Sequence, residues 1–250
     1  MYKCWLCIMA YVVLFGCKHV DKSPISIRQW HYENGKLMKE QEYINDSIEH
    51  GTYRYFYPSG ILKDSAQITH NKFHGKRYEY HENGNIYGLS TYINNKYRNG
   101  ITYRSDGTLE YYRANNYHEE LMYIIQYDSF GKPEKYDGDL IYSWVQEKEY
   151  PLGKEFSVEL LVSDPPNCKT EVTVSDWDLL QAHAKNEKTY NPDEFNRVNY
   201  SRQQNPENDL YILHIARIQD TLTSTTLSDT LVIKVAKDGK SSYTRKLPKY

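Results

Sequence analysis

An excess of charge of one sign is missing. The chain of 250 residues carries 31 Lys and Arg against 33 Asp and Glu, a formal net charge of −2. A protein that coats nucleic acid shows a plain basic excess, so that class is excluded. A membrane-crossing run is missing too. The one long apolar stretch, Cys4–Phe15, has twelve residues, against the ~20 that a spanning helix needs. A mean hydropathy of −0.80 excludes a polytopic membrane protein. Glycine (13) and proline (9) are too few for a collagen-like or low-complexity chain. No GxSxG, HExxH, P-loop or GxGxxG signature occurs. What is plentiful is tyrosine, with 26 residues in an aromatic share of 14%. That much ring surface to bury argues for a folded, β-rich chain rather than a disordered linker.

The N-terminus reads as an address. Lys3 precedes the apolar run, the arrangement of a secretory signal. Leu14-Phe15-Gly16-Cys17 then resembles the lipobox of bacterial lipoproteins, although Phe15 departs from the residues usual at its position. The resemblance implies cleavage after residue 16 and acylation of Cys17, with residues 17–28 as a tether. Of the four cysteines, Cys4 and Cys7 would leave with the signal and Cys17 would carry lipid. Cys168 is then alone, so the mature chain can form no intramolecular disulfide and must hold itself by its core.

From residue 29 to about 138 the chain repeats. The turn glycines Gly35, Gly60, Gly84, Gly107 and Gly131 are spaced 25, 24, 23 and 24 residues apart. A second series, Gly51, Gly75 and Gly100, runs between them at spacings of 24 and 25. Two residues after the first-series glycines stand Leu37, Leu62, Ile86 and Leu109; four before them stand His31, Phe56, Tyr80, Tyr103 and Tyr127. Asn-Gly and Asp-Gly favour two-residue hairpin turns. Alternation such as Tyr53, Tyr55, Tyr57 suits strands, whose side chains alternate between faces. The pattern predicts consecutive β-hairpins in one antiparallel meander. Its aromatic and aliphatic columns would be buried and its central units most stable, so Tyr80 and Ile86 should matter more than Leu109.

Tyr32-Glu-Asn-Gly-Lys-Leu37, His74-Gly-Lys-Arg-Tyr-Glu-Tyr80 and His81-Glu-Asn-Gly-Asn-Ile86 resemble the MORN-repeat variants of bacteria, over a little under half of the chain. The fourth unit lacks the second glycine, and the fifth is a fragment. The resemblance implies a non-enzymatic scaffold and protein-contact surface. The antitoxin label common in that family implies a cytosolic role, which a lipoprotein signal opposes.

Residues 139–250 have another texture. Tyrosines thin from 17 in residues 18–140 to 7 in residues 141–250. Strand-like runs at Phe156–Ser163, Lys169–Ser175, Leu210–Gln219 and Thr230–Ala236 predict a C-terminal β-sandwich, vaguely similar to immunoglobulin-like domains. Ser175, as an N-cap before apolar residues at helical spacing, predicts one short helix over 176–188. The fold class expected is all-β, a hairpin-repeat meander plus a sandwich with one short helix, as two folding units joined near residues 137–153.

Chemistry-bearing residues are sparse. His70 and His74 flank a turn, and His74 shares its repeat position with His50, so both read as repeat pattern rather than metal ligands. Asp176 and Asp178 read as helix-start carboxylates rather than a calcium site. Glu119 and Glu120 would point to opposite faces, and Cys168 reads as an incidental thiol. No catalytic residue, metal or cofactor is assigned. Tyr53, Tyr55 and Tyr57 are the candidate interaction surface, because tyrosine is amphipathic and suits contacts. The sequence therefore points to a non-catalytic lipoprotein of the bacterial cell envelope, held at the outer membrane and facing periplasm or surface. It would bind an envelope protein, with glycan a further possible partner and no nucleic acid. The alternative is a glycan- or peptidoglycan-binding or -processing envelope protein. A cleft of two facing carboxylates would favour the alternative, and an open sheet the first.

Overall fold

The computed structural model describes residues 25–143 and 149–245. The signal over 1–16, Cys17 and most of the tether lie outside the described residues. Ten strands come first: β1 (Ile25–His31), β2 (Leu37–Ile44), β3 (Ile48–Phe56), β4 (Leu62–Thr69), β5 (Lys72–Tyr80), β6 (Ile86–Ile93), β7 (Lys96–Tyr103), β8 (Leu109–Asn115), β9 (Leu121–Tyr127) and β10 (Pro133–Gly138). They form one antiparallel sheet in chain order, the meander that the glycine period predicts. β1 starts at Ile25, inside the stretch expected to be tether.

The turns are built differently from the expectation. Gly35, Gly60, Gly84 and Gly107 have φ of 79°, 93°, 88° and 89°, a backbone state that costs other residues roughly 1–2 kcal/mol. Each ends a three-residue loop rather than a two-residue one. In the first, the Tyr32 N–H donates to the Lys36 carbonyl at 2.8 Å and the Gly35 N–H to the Tyr32 carbonyl at 2.9 Å. The same two bonds recur at Tyr57/Ile61, His81/Asn85, Arg104/Thr108 and Asp128/Lys132. The two-residue turns lie at the opposite end of the sheet, at His70-Asn71 (φ 50° and 63°) and Asn94-Asn95 (52° and 70°). Second-series glycines sit inside strands. Gly51 (φ 89°) and Gly75 (φ 111°) stand at register shifts of β3 against β2 and of β5 against β4, where extra residues bulge the strand.

After Gly138 come β11 (Ile141–Ser143), β12 (Glu155–Val162), β13 (Cys168–Asp178), β14 (His183–Tyr190), β15 (Arg197–Gln203), β16 (Leu210–Asp220), β17 (Thr226–Val235) and β18 (Ser241–Thr244). They make a three-stranded sheet, β11-β12-β15, and a five-stranded sheet, β14-β13-β16-β17-β18. No helix stands at 176–188. That stretch is the end of β13, a turn and most of β14. Burial decides it: Val172, Val174 and Ser175 are at most 2% exposed in β13, so pairing in the sheet overrides helical propensity. The expected helix-start carboxylate Asp178 accepts the N–H groups of Leu180 and Gln181 at 2.9 and 3.1 Å, and so stabilises the hairpin turn.

The core lies at the C-terminal end of the repeat sheet, not at its centre. Tyr112, Ala114, Tyr123, Ile125 and Tyr127 form one buried cluster with residues of both later sheets, including Leu160, Ile212 and Ile233. The core therefore runs across residue 139. One cross-strand row shows why. Gln29, Glu40, Arg54, Ser65, Tyr78, Leu89, Ile101, Tyr112, Ile125 and Tyr136 are successive partners across all ten strands. Directly paired residues share a face. This back row is polar at its start, where Arg54 pairs with Glu40 at 2.7 Å, and apolar where the later sheets pack. The expected central columns are correspondingly less buried. Ile86 is 39% exposed, Tyr80 is half-buried, and Leu109 packs against the core cluster.

Candidate binding face

The opposite, front face carries its own row: Gln41, Tyr53, Ala66, Arg77, Ser90, Gly100, Arg113 and Ile124. The long side chains Tyr53, Arg77 and Arg113 are separated in it by the small residues Ala66, Ser90 and Gly100. Beside it Tyr53, Phe73, Tyr92 and Tyr97 form a chain of ring contacts with centroids 6.4, 5.7 and 5.7 Å apart, spacings at which aromatic pairs attract. Cations lie over these rings. Lys39 is 5.3 Å from the Tyr53 centroid, Arg77 5.7 Å from Phe73 and Arg113 5.4 Å from Tyr97. Burial pushes the Tyr53 phenol up to about 12, with the negative charge of Asp64 adding to it.

Tyr53 and Tyr55 both stand on this front face, paired with Gln41 and Lys39, and both are half-buried. Tyr57 has left the strand and begins the loop. Its hydroxyl donates to the Tyr80 carbonyl at 2.8 Å, so that end of the side chain serves the sheet. The same role recurs one period apart with different chemistry. Tyr32 donates to the Phe56 carbonyl at 2.5 Å, His81 Nε2 lies 3.0 Å from the Tyr103 carbonyl, and Arg104 donates to the Tyr127 carbonyl at 2.8 Å. At the other end, Asn71 and Glu49 exchange two bonds of 2.9 and 2.8 Å, and Asn95 and Phe73 two of 2.9 and 2.7 Å. Each hairpin is thus clipped to the next at both ends. Only the three-before-glycine position, read as one column, marks Tyr32, Tyr57, His81 and Arg104 in the sequence.

A recess of about 340 Å³ opens on the front face where Tyr55, Tyr57 and Tyr87 meet Lys63, Asp64, Arg77 and Glu79. Arg77 donates to both Asp64 oxygens at 2.8–3.1 Å and to Glu79 at 3.1 Å. Those hydrogen bonds, with the two negative charges, hold its guanidinium more firmly protonated than usual.

Two polar clusters stand where the repeat sheet gives way to the later strands. Arg245 joins Asp229 at 2.6 Å, Asp139 at 3.0 Å and the Ile141 carbonyl at 2.7 Å. Burial raises the Asp139 carboxyl, against the opposing charge of Arg245. Tyr117 donates to Glu159 at 2.5 Å, and Glu159 faces Arg197 at 3.7 Å.

The remaining sequence candidates are engaged locally. His74 lies 3.2 Å from Asn94 Oδ1 and edge-on to Phe195, and His70 is edge-on to His50. Asp176 pairs with Arg202 at 3.2 Å, and Asp178 with Lys185. Burial pushes the Cys168 thiol up to about 11, which leaves it a poor nucleophile at neutral pH. Among the described residues, no group of three or more His, Cys, Asp or Glu is placed to hold a metal.

The model of the MORN repeat variant matches residues 27–45, 49–67 and 73–94. These are the first three hairpins, β1-β2, β3-β4 and β5-β6. The strands that hold most of the repeat sheet's buried core, β8 and β9, lie outside the match. No curated protein matches the chain.

Proposed function

We propose that the chain is a non-catalytic scaffold which binds an envelope protein through the front face of its repeat sheet, held at a bacterial membrane by lipid on Cys17. The observation that carries this reading is the division of labour between the two faces. The cross-strand row on the back face turns apolar where the later sheets cover it, whereas the front face sets out a chain of rings and cations. Aromatic and arginine side chains supply most of the energy at protein interfaces. The match of the first three hairpins to the MORN repeat variant fits a repeat-based binding role. The two carboxylates that face each other in the front recess share one guanidinium, which favours binding over acid–base chemistry. The two later sheets, which we read as a sandwich, brace one end of the array.

The test is capture from crosslinked cells with full-length protein. Tyr111, 37% exposed, stands on the front face in the paired row that runs from Glu79 through Gly88 and Thr102. Wild type should retain a protein partner that Tyr92→Lys/Tyr111→Lys loses, and Cys17→Ser should leave the membrane fraction unprocessed. Equal capture by the double variant, or membrane retention of Cys17→Ser, contradicts the corresponding half of the proposal.

A further inference from the structure

Building on the front-face reading above, we propose that the Tyr55–Tyr87 recess binds a neutral pyranose residue of a glycan. Its volume of about 340 Å³ is at the small end of ligand sites, which run from roughly 300 to 1,000 Å³. The walls are ring faces, and Tyr87 is 45% exposed and held edge-on by His81 at 5.1 Å. The floor is a line of charge. Asp64, Glu79 and Gly88 are successive cross-strand partners, and Gly88 leaves space beside Glu79, whose Oε2 would stand 3.5 Å from an added Cβ.

Charge selects the ligand. Lys63 and Arg77 balance Asp64 and Glu79. A phosphate or carboxylate would find Arg77 already committed to two carboxylates, and a cation would find those carboxylates already met. An acyl chain would strip water from the Arg77 cluster without replacing its hydrogen bonds, which is costly. A pyranose offers an apolar C–H face to lie on tyrosine and a rim of hydroxyls that both donate and accept. Glu79 Oε2 can accept from that rim, because only Oε1 is used by Arg77. Lys63 lies 5.8 and 5.2 Å from the Tyr55 and Tyr57 centroids and is exposed, so it can swing aside.

Full-chain protein applied to an array of neutral, amino, carboxylated and sulfated oligosaccharides tests this, with calorimetric titration of the strongest hit. Neutral glycans should bind. Tyr87→Ala and Glu79→Gln should each weaken the hit at least tenfold, with unchanged melting temperature. A blank array, hits confined to charged glycans, or full binding by Tyr87→Ala and Glu79→Gln overturns the proposal. If the array is blank while protein capture still depends on Tyr92 and Tyr111, the glycan site is wrong and the front-face reading stands. If both fail, both are wrong.

Discussion

Tyr112→Ala is expected to cost the protein roughly 3–5 kcal/mol, the range for truncating a large buried aromatic. A typical domain has only about 5–15 kcal/mol in total. Tyr112 is 1% exposed, in the cluster that joins β8 and β9 to both later sheets. Its hydroxyl also accepts the Asp164 N–H at 2.8 Å, a bond from the repeat sheet to the loop between β12 and β13. Tyr112→Phe keeps the ring but leaves that N–H unpaired, so about 1–3 kcal/mol should go. Ile86→Ala should lose much less, because Ile86 is 39% exposed. Denaturant melts of the three variants check the order. Equal losses for Ile86→Ala and Tyr112→Ala would mean that the core sits at the centre of the array after all.

That order inverts the one expected from the repeat pattern, for a physical reason. A one-dimensional array predicts strong centres and weak ends when each unit touches only its neighbours. Here one end touches two further sheets. The period itself is legible, because each of the five loops at one end of the sheet needs a residue with φ > 0 at the same place and glycine fills it each time. The clips are not. Tyr32, Tyr57, His81 and Arg104 share a task but not a side chain, so their column does not look like a repeat. β15 is equally silent in the sequence. Of its residues only Val198 and Tyr200 are buried, and so little apolar alternation gives no strand signal. The candidate tyrosines are half legible. Alternation correctly pairs Tyr53 with Tyr55 on one face, but a register shift between Tyr55 and Phe56 breaks the pattern before Tyr57.

Acid should destabilise the protein through His214. The side chain is fully buried in β16, with Nδ1 2.9 Å from the Leu231 carbonyl and Nε2 against the Tyr200 hydroxyl. Burial lowers its pKa to about 4, the nearby charge of Arg202 acting in the same direction. An unfolded histidine titrates near ~6.5. Between those values the unfolded chain takes up a proton that the folded chain refuses, so stability is full above about pH 6.5 and falls as pH drops toward 4. At ~1.4 kcal/mol per pH unit the loss reaches about 3 kcal/mol. His214→Gln should start less stable at pH 7 and lose less on acidification. Melting temperatures of both proteins from pH 7.5 to 4.5 decide it, since their difference removes the contribution of the other titrating groups. Parallel curves would show that His214 does not carry the acid lability.

The division between a covered back face and a binding front face is tested most directly by photocrosslinking in cells. Benzoylphenylalanine would replace Tyr92 on the front face, Tyr78 on the back row or the exposed Thr226 on β17, one position at a time, in full-length protein. The account predicts a crosslinked partner from position 92 and none from positions 78 or 226. A partner captured from position 226, with none from position 92, would move the binding surface off the repeat sheet and contradict it.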